Sequence, residues 1–197
     1  MSAKLILEKY DIPDKPDFFA TTSHKFKSDL FTFFTECKDK IFIEFGTSRG
    51  FSSVFVSELF KHVHTVNIQL SEETKELLSK TDNITAHKFD LYNLAAKDYL
   101  EKLDRGDVFF VDAKHEYKAV KSDTYLAKEF ANKGAYVIYD DYGAYREIKR
   151  AVNKLIDLKV IEVVKYIGNK KGWKYGENDG SVKRTLEDYE GVICKIL

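Results

Sequence analysis

The sequence predicts an α/β fold. Its core is a mainly parallel, doubly wound sheet with helices on both faces and an antiparallel C-terminal strand. Three observations carry this reading. Short apolar runs alternate with segments whose apolar residues recur at helical spacing. The runs are continuous, as in strands buried on both faces. The last two runs have no helical segment between them, which joins them antiparallel.

In chain order, residues 1–21 read as an irregular arm holding both prolines, Pro13 and Pro16. Residues 22–38 read as a helix, since Phe26, Leu30, Phe33 and Phe34 share one face. Lys40–Phe45 is the first strand, and Phe51–Lys61 is the helix that starts after Gly50. His62–Ile68 is the second strand. Ser71–Lys80 follows as a helix with Ser71 as N-cap and Glu72 and Glu73 in its first turn. Ile84–Phe89, Asp107–Val111 and Ala135–Tyr139 are strands, separated by helices at Leu94–Leu103 and Tyr117–Lys133, the latter stopped by Gly134. Tyr142–Leu158 is the last helix; Ile148, Val152, Leu155 and Ile156 form its core face. Val160–Ile167 and Gly191–Leu197 are the final strands, with a polar, Gly-rich stretch between them.

The chain of 197 residues is 44% hydrophobic, enough for one domain with a real core, so residues 1–197 read as a single domain. Lys plus Arg is 32 and Asp plus Glu is 32; this balance gives no bulk attraction to a phosphate backbone and disfavours a nucleic-acid partner. Cys37 and Cys194 lie far apart, without metal-ligand spacing, and read as reduced thiols. The N-terminus lacks a signal-type apolar segment, and no stretch approaches a membrane span. A cytoplasmic protein without a membrane partner is expected, with a homo-oligomer left open.

Ligands of such folds bind outside the carboxyl ends of the strands. Those ends carry Glu44, Asn67, Asp90, Asp112 and Asp140. Two runs end in acid, Val108–Asp112 and Tyr136–Asp141, and His115 follows the first. If these strands are neighbours, Asp112, Asp140, Asp141 and His115 converge as a hard-metal site with a base beside it. Singly, each has an ordinary explanation: Asp140 and Asp141 as helix caps, Asp112 as a strand end, His115 as a surface or core residue. Upstream, Gly46 and Gly50 make a strand-to-helix turn whose N–H groups suit an anionic group, with Glu44 placed to accept from an ammonium. A plain tight turn explains the two glycines equally well. There is no Gly-x-Gly-x-x-Gly and no Lys-Ser/Thr of a P-loop.

Acidic-x-Gly-x-x-x-Gly at Glu44, Gly46 and Gly50 resembles the class I S-adenosylmethionine-dependent methyltransferases, which implies a Rossmann-like sheet. The longer pattern Asp112-x-x-His115-x-Tyr117-x-x-Val120-x-x-Asp123, then Gly134 before a strand ending Asp140–Asp141, resembles a narrower group. That group includes macrolide-sugar O-methyltransferases and cephalosporin-hydroxylase-like proteins, and the likeness covers roughly Lys40 to Tyr142. It implies that Glu44, Gly46, Thr47, Ser48 and Gly50 hold the methionine part of S-adenosylmethionine, with Ser52, Ser53 and Asp112 nearby. It also implies that residue 67 contacts the ribose and Asp90 the adenine. At 67 the family's acid is replaced by Asn, which lacks a charge-assisted contact.

The resemblance further assigns Asp112, Asp140 and Asp141 to a divalent metal, most simply Mg2+, and His115 to the general base, with Asp112 beside it in the catalytic set. The implied reaction is O-methylation of a small hydroxylated acceptor such as a sugar. Two rivals stand beside it: a metal-dependent enzyme of other chemistry on the same edge, and a cofactor-binding module without activity. His62, His64 and His87 read as structural. The Lys170–Tyr175 stretch around Trp173 reads as an exposed hairpin, with a lid or a dimer contact as alternatives.

Overall fold

The computed structural model describes residues 1–15, 17, 18, 20–93, 95–175 and 184–197. The seven strands of its main sheet are β1 (Ile41–Phe45), β2 (His62–Asn67), β3 (Ile84–Lys88), β4 (Gly106–Val111), β5 (Ala131–Tyr139), β6 (Ile161–Ile167) and β9 (Gly191–Ile196). A small hairpin, β7 (Lys174–Tyr175) with β8 (Arg184–Thr185), lies between the last two. The order is β3-β2-β1-β4-β5-β9-β6. Strands β1 to β5 run parallel, and β9 inserts antiparallel between β5 and β6, as the missing helix predicted.

Successive strand residues face opposite sides of a sheet, which explains the continuous apolar runs. Ile43, Phe109, Val137 and Cys194 pack on one side, against Val120 and Ala127 of α6 (Tyr117–Phe130) and Val152 and Leu155 of α7 (Arg146–Asp157). Their neighbours Phe42, Phe110, Ile138 and Ile193 pack on the other. That side is covered by α1 (Ala3–Lys9), α2 (His24–Phe33), α3 (Phe51–Ser57) and α4 (Glu72–Leu78), through Ile6, Phe26, Leu30, Val54, Phe55 and Leu78. Each such side chain contributes roughly 1.5–3 kcal/mol by leaving water.

The helices start where local chemistry allows. Ser71 Oγ accepts from the Thr74 N–H (3.2 Å), and Ser23 Oγ from the Phe26 N–H (3.0 Å), each satisfying a free donor of the first turn. Several boundaries differ from expectation. The arm contains α1, capped by Ser2, because Ile6, Tyr10 and Ile12 have a buried face to fill. Helix α6 stops at Phe130, since Ala131 already pairs with Gly106, and Gly134 turns within β5 at φ +84°. Helix α7 begins only at Arg146, because Asp141 takes φ +56° and its carbonyl accepts the N–H groups of Ala144 and Tyr145 in a turn. Helix α5 is shortened to Ala96–Leu100; its expected start at Leu94 lies outside the described residues, as do 176–183 of the polar stretch.

The strand order reverses between β1 and β4, and there the sheet opens a crevice at its carboxyl edge.

His62, His64 and His87 lie on β2 and β3. On β2 and β3, His64 Nδ1 and His87 Nε2 stand 3.0 Å apart, and His87 Nδ1 is 3.3 Å from the Tyr99 hydroxyl. Burial, reinforced by His62 and His87, pushes His64 down to about 4; burial also lowers His87. Both are neutral in the fold but titrate near 6.5 when unfolded, so their stabilisation is complete above that pH. It is lost as pH falls below that, the His64 part through about 4. Urea unfolding followed from neutral pH downward should show this limb, shallower in H64L. An H64L profile as steep as the wild type's would assign the limb to other groups.

Candidate active site

The turn after β1 is built around Gly46, at φ +105°. A Cβ there would lie 2.3 Å from the carbonyl oxygen of Asp112 and 2.9 Å from Cα of Ala113, so only glycine lets the turn close onto the end of β4. The Gly46 N–H donates to Val66 and the Asp112 N–H to Phe45, which pins three strand ends together. Ser48 at φ +47° and Gly50 at φ +80° complete the turn into α3.

Beneath it runs a buried hydroxyl chain. Glu44 Oε2 accepts from Ser53 Oγ and from Thr65 Oγ1 (2.5 Å). With the Thr65 proton so used, Thr47 Oγ1 donates to Thr65 Oγ1 (2.7 Å). Burial pushes the Glu44 carboxyl up to about 8, against these hydrogen bonds. Glu44 and Ser53 therefore support the turn from below and do not line the crevice.

The crevice holds a cavity of about 230 Å³. Of the sequence-expected residues, Gly46, Thr47, Ser48, Gly50, Ser52, Asp112, His115, Asp140 and Asp141 line it. A second cavity of about 90 Å³ adjoins it through Ala113 and is lined by Asn67 and Asp90. Asn67 folds back on its own loop: Oδ1 accepts from the Ile68 N–H (3.1 Å) and Nδ2 donates to the Gln69 carbonyl (2.8 Å). Asp90 Oδ1 accepts from the Tyr92 N–H (2.9 Å). Lys114 reaches over the Tyr92 ring at 4.1 Å and puts a cation on this wall.

Asp112, His115 and Asp141 each offer a ligand atom, all within 4.8 Å of one another. His115 Nε2 is 3.5 Å from Asp112 Oδ1 and 3.6 Å from Asp141 Oδ2, and its ring lies tilted against Tyr145 with centroids 4.3 Å apart. Burial opposes charge on His115, but the Asp112 contact and the charges of Asp112 and Asp141 outweigh it and hold the imidazole above its ordinary value. Burial raises the Asp112 carboxyl, partly offset by His115.

Asp140 sits differently. Its Oδ2 is 3.5 Å from Lys15 Nζ, and its Oδ1 is buried with no hydrogen-bond partner. Lys15 also meets Asp141 Oδ1 at 2.9 Å and Glu190 Oε1 at 3.6 Å. This lysine, 2% exposed, comes from the N-terminal arm, where the sequence shows no periodicity to mark it. The arm also contributes Thr21 and Thr22 to the cavity wall. They are held by the buried Lys27 Nζ, which donates to Thr22 O and Oγ1 (both 2.6 Å) and Thr21 Oγ1 (3.0 Å). Burial pushes Lys27 down to about 7. The β7–β8 hairpin is not simply exposed: Tyr175 is fully buried with its ring 5.1 Å from Lys15 Nζ, and Arg184 lies 4.5 Å over Tyr145.

The family model described as a methyltransferase domain matches residues 43–142, just over half of the chain. An uncharacterized protein, R132, of Acanthamoeba polyphaga mimivirus is 27% identical over 135 residues, which is 61% of each protein; the chain thus spans about three fifths of that curated relative. Among solved structures, the O-methyltransferase TomG of Streptomyces achromogenes, in complex with SAM, has a TM-score of 0.61 at 17% identity, covering 99% of this chain and 87% of that one. A putative O-methyltransferase from Klebsiella pneumoniae gives 0.59 at 14%, covering 99% and 89%. MycE, from the mycinamycin biosynthetic pathway and in complex with Mg and SAH, gives 0.60 at 10%, covering 100% and 54%.

The close approach at residue 46 generates an expectation. G46A should lower stability by about 2 kcal/mol or more, through a positive φ and a backbone clash. Urea unfolding measures this, and a loss under about 0.5 kcal/mol would mean that the turn relaxes freely. The glycine turn and the acid-ended strands both lie within the matched segment; the chain belongs to the methyltransferase-domain family and carries the class I S-adenosylmethionine-dependent methyltransferase fold.

Proposed function

We propose that this protein is an S-adenosylmethionine-dependent, divalent-metal-assisted O-methyltransferase of a small hydroxylated acceptor, a sugar or similar metabolite. The observation that carries the reading is the Asp112–His115–Asp141 set facing the Gly46 turn across one cavity. The backbone cradle at Gly46 suits the methionine part of the cofactor. The adjoining cavity, with Asn67, Asp90 and Lys114, suits its nucleoside part. TomG with SAM and MycE with Mg and SAH support the same assignment on the same fold.

Asp112, Asp140 and Asp141 line one cavity, and the unpartnered Oδ1 of Asp140 offers an acceptor for a hard cation. Asp112, Asp140 and Asp141 would hold the ion, Mg2+ or another divalent cation. When bound, the cofactor supplies an electrophilic methyl group and the cation a Lewis acid that acidifies the acceptor hydroxyl. The chain's own residues supply the rest. Gly46 and Thr47 fix the turn against β4, so that donor and acceptor meet at one distance. His115 Nε2 takes the acceptor proton, and Asp112 and Asp141 stabilise the resulting imidazolium. Thr21 and Thr22 wall the cavity, and Tyr145 packs against the His115 ring.

The zero net charge supports a small metabolite over a nucleic acid. Among the described residues no helix is long and apolar enough to cross a membrane, in keeping with a cytoplasmic enzyme.

Calorimetry with S-adenosylmethionine tests the cofactor half; no heat of binding at millimolar concentration would overturn it. With an acceptor identified by S-adenosylhomocysteine release, H115Q should lose about 10²–10⁴-fold in kcat with little change in cofactor affinity. Full activity of H115Q would remove His115 from proton transfer.

A further inference from the structure

Asp123 closes the Asp112–Asp123 sequence pattern, yet it lines neither cavity of the crevice. It sits on α6, 1% exposed, and among the described residues no cation is in ion-pair contact with it. Burial pushes its carboxyl up to about 7, against the Tyr92 hydrogen bond and the Lys114 charge. A carboxylate buried in this way costs the fold stability. Its hydrogen-bond donor is the Tyr92 hydroxyl, 3.1 Å from Oδ2.

Tyr92 is tied at three points. Its hydroxyl reaches Asp123 across 31 positions of chain, from the loop after β3 to α6. Its N–H donates to Asp90 Oδ1 (2.9 Å), and Lys114 Nζ lies 4.1 Å from its ring centroid. Asp90, Tyr92 and Lys114 all line the cavity of about 90 Å³ that adjoins the crevice. Asp123 reaches that cavity through Tyr92. A loop tyrosine whose hydroxyl lacked this acceptor would be free to turn, and the lysine over its face would turn with it.

We propose that Asp123 is a positioning residue for the nucleoside part of the cofactor: it anchors the Tyr92 ring, and with it Lys114, as a preformed wall of that cavity. The inference deepens the cofactor-binding part of the reading above and rests on it. Asp123 acts through Tyr92 and does not touch the cofactor itself. Binding then need not order the ring and the lysine, which is the gain of a preformed wall.

The test is calorimetric titration of the purified full chain with S-adenosylhomocysteine, beside urea unfolding of each variant. Y92F and the double variant D123L/Y92F should each bind at least about fivefold more weakly than the wild type. The two losses should be equal, because both variants break one and the same interaction. D123N keeps an acceptor for the Tyr92 hydroxyl and should stay within about twofold. The double variant should unfold no earlier than Y92F, since it removes the buried carboxyl that Y92F leaves unpaired. A merely structural Asp123 would change stability and leave the affinity of the folded variants unmoved. Wild-type affinity in Y92F overturns the proposal, and so does a D123N as weak as Y92F. That pair decides the matter even if the double variant does not fold. A wild type that binds no S-adenosylhomocysteine at millimolar concentration overturns the cofactor reading and this inference with it, whereas equal binding by all the chains overturns the inference alone.

Discussion

The contact between the backbone at Gly46 and the carbonyl of Asp112 organises this molecule. It joins the ends of β1 and β4, the two strands between which the sheet reverses its order. Because the chain at 46 has no side chain, the turn drops against β4, and the crevice floor is backbone instead of packed carbon. Everything chemical is placed relative to that floor. Asp112 leaves it directly, His115 returns to it three residues later, and Asp141 meets His115 from the neighbouring β5. The buried chain from Thr47 through Thr65 to Glu44 and Ser53 locks the same floor from below.

The second organising feature is charge. Asp140, Asp141, Glu190 and Lys15 are all buried. Isolated, each would cost several kcal/mol to desolvate; grouped, they compensate one another. The ammonium comes from a segment more than a hundred residues away in sequence, so the N-terminal arm is part of the site and not an appendage to it. Tyr175 of the β7–β8 hairpin, its ring near the Lys15 ammonium, closes the same corner from the C-terminal side.

The fold was legible because its signals are local. Phe42 and Ile43, or Phe109 and Phe110, must both be apolar when successive residues face two covered sides, and that pattern is visible without coordinates. The same holds for Ser71 as a cap and for the antiparallel return of the last strand. The site was half legible. Asp112, His115, Asp140 and Asp141 stand at strand ends, and strand ends gather wherever a parallel sheet is drawn. Glu44 looked like a ligand residue because it too stands at a strand end, but the pleat turns it under the glycine turn, where Ser53 and Thr65 enclose it. Helix boundaries slipped where backbone geometry overrides propensity, at Asp141 with its positive φ and at Gly134 inside β5.

By itself, the sequence determined the order of strands and helices, the glycine turn and the acids at the carboxyl edge. Each of these follows from residue type within a few positions, through periodicity, caps and backbone freedom. The tertiary structure alone decided what each acid meets. Lys15 meets Asp140 across 125 positions of chain, and no local pattern encodes a pairing that only the closed arm creates. Whether a carboxylate at the edge faces a buried ammonium, an imidazole or a hydroxyl depends on elements distant in sequence. Asp112 meets His115, Asp140 meets Lys15, and Asp141 meets both, although all three are the same residue type at strand ends.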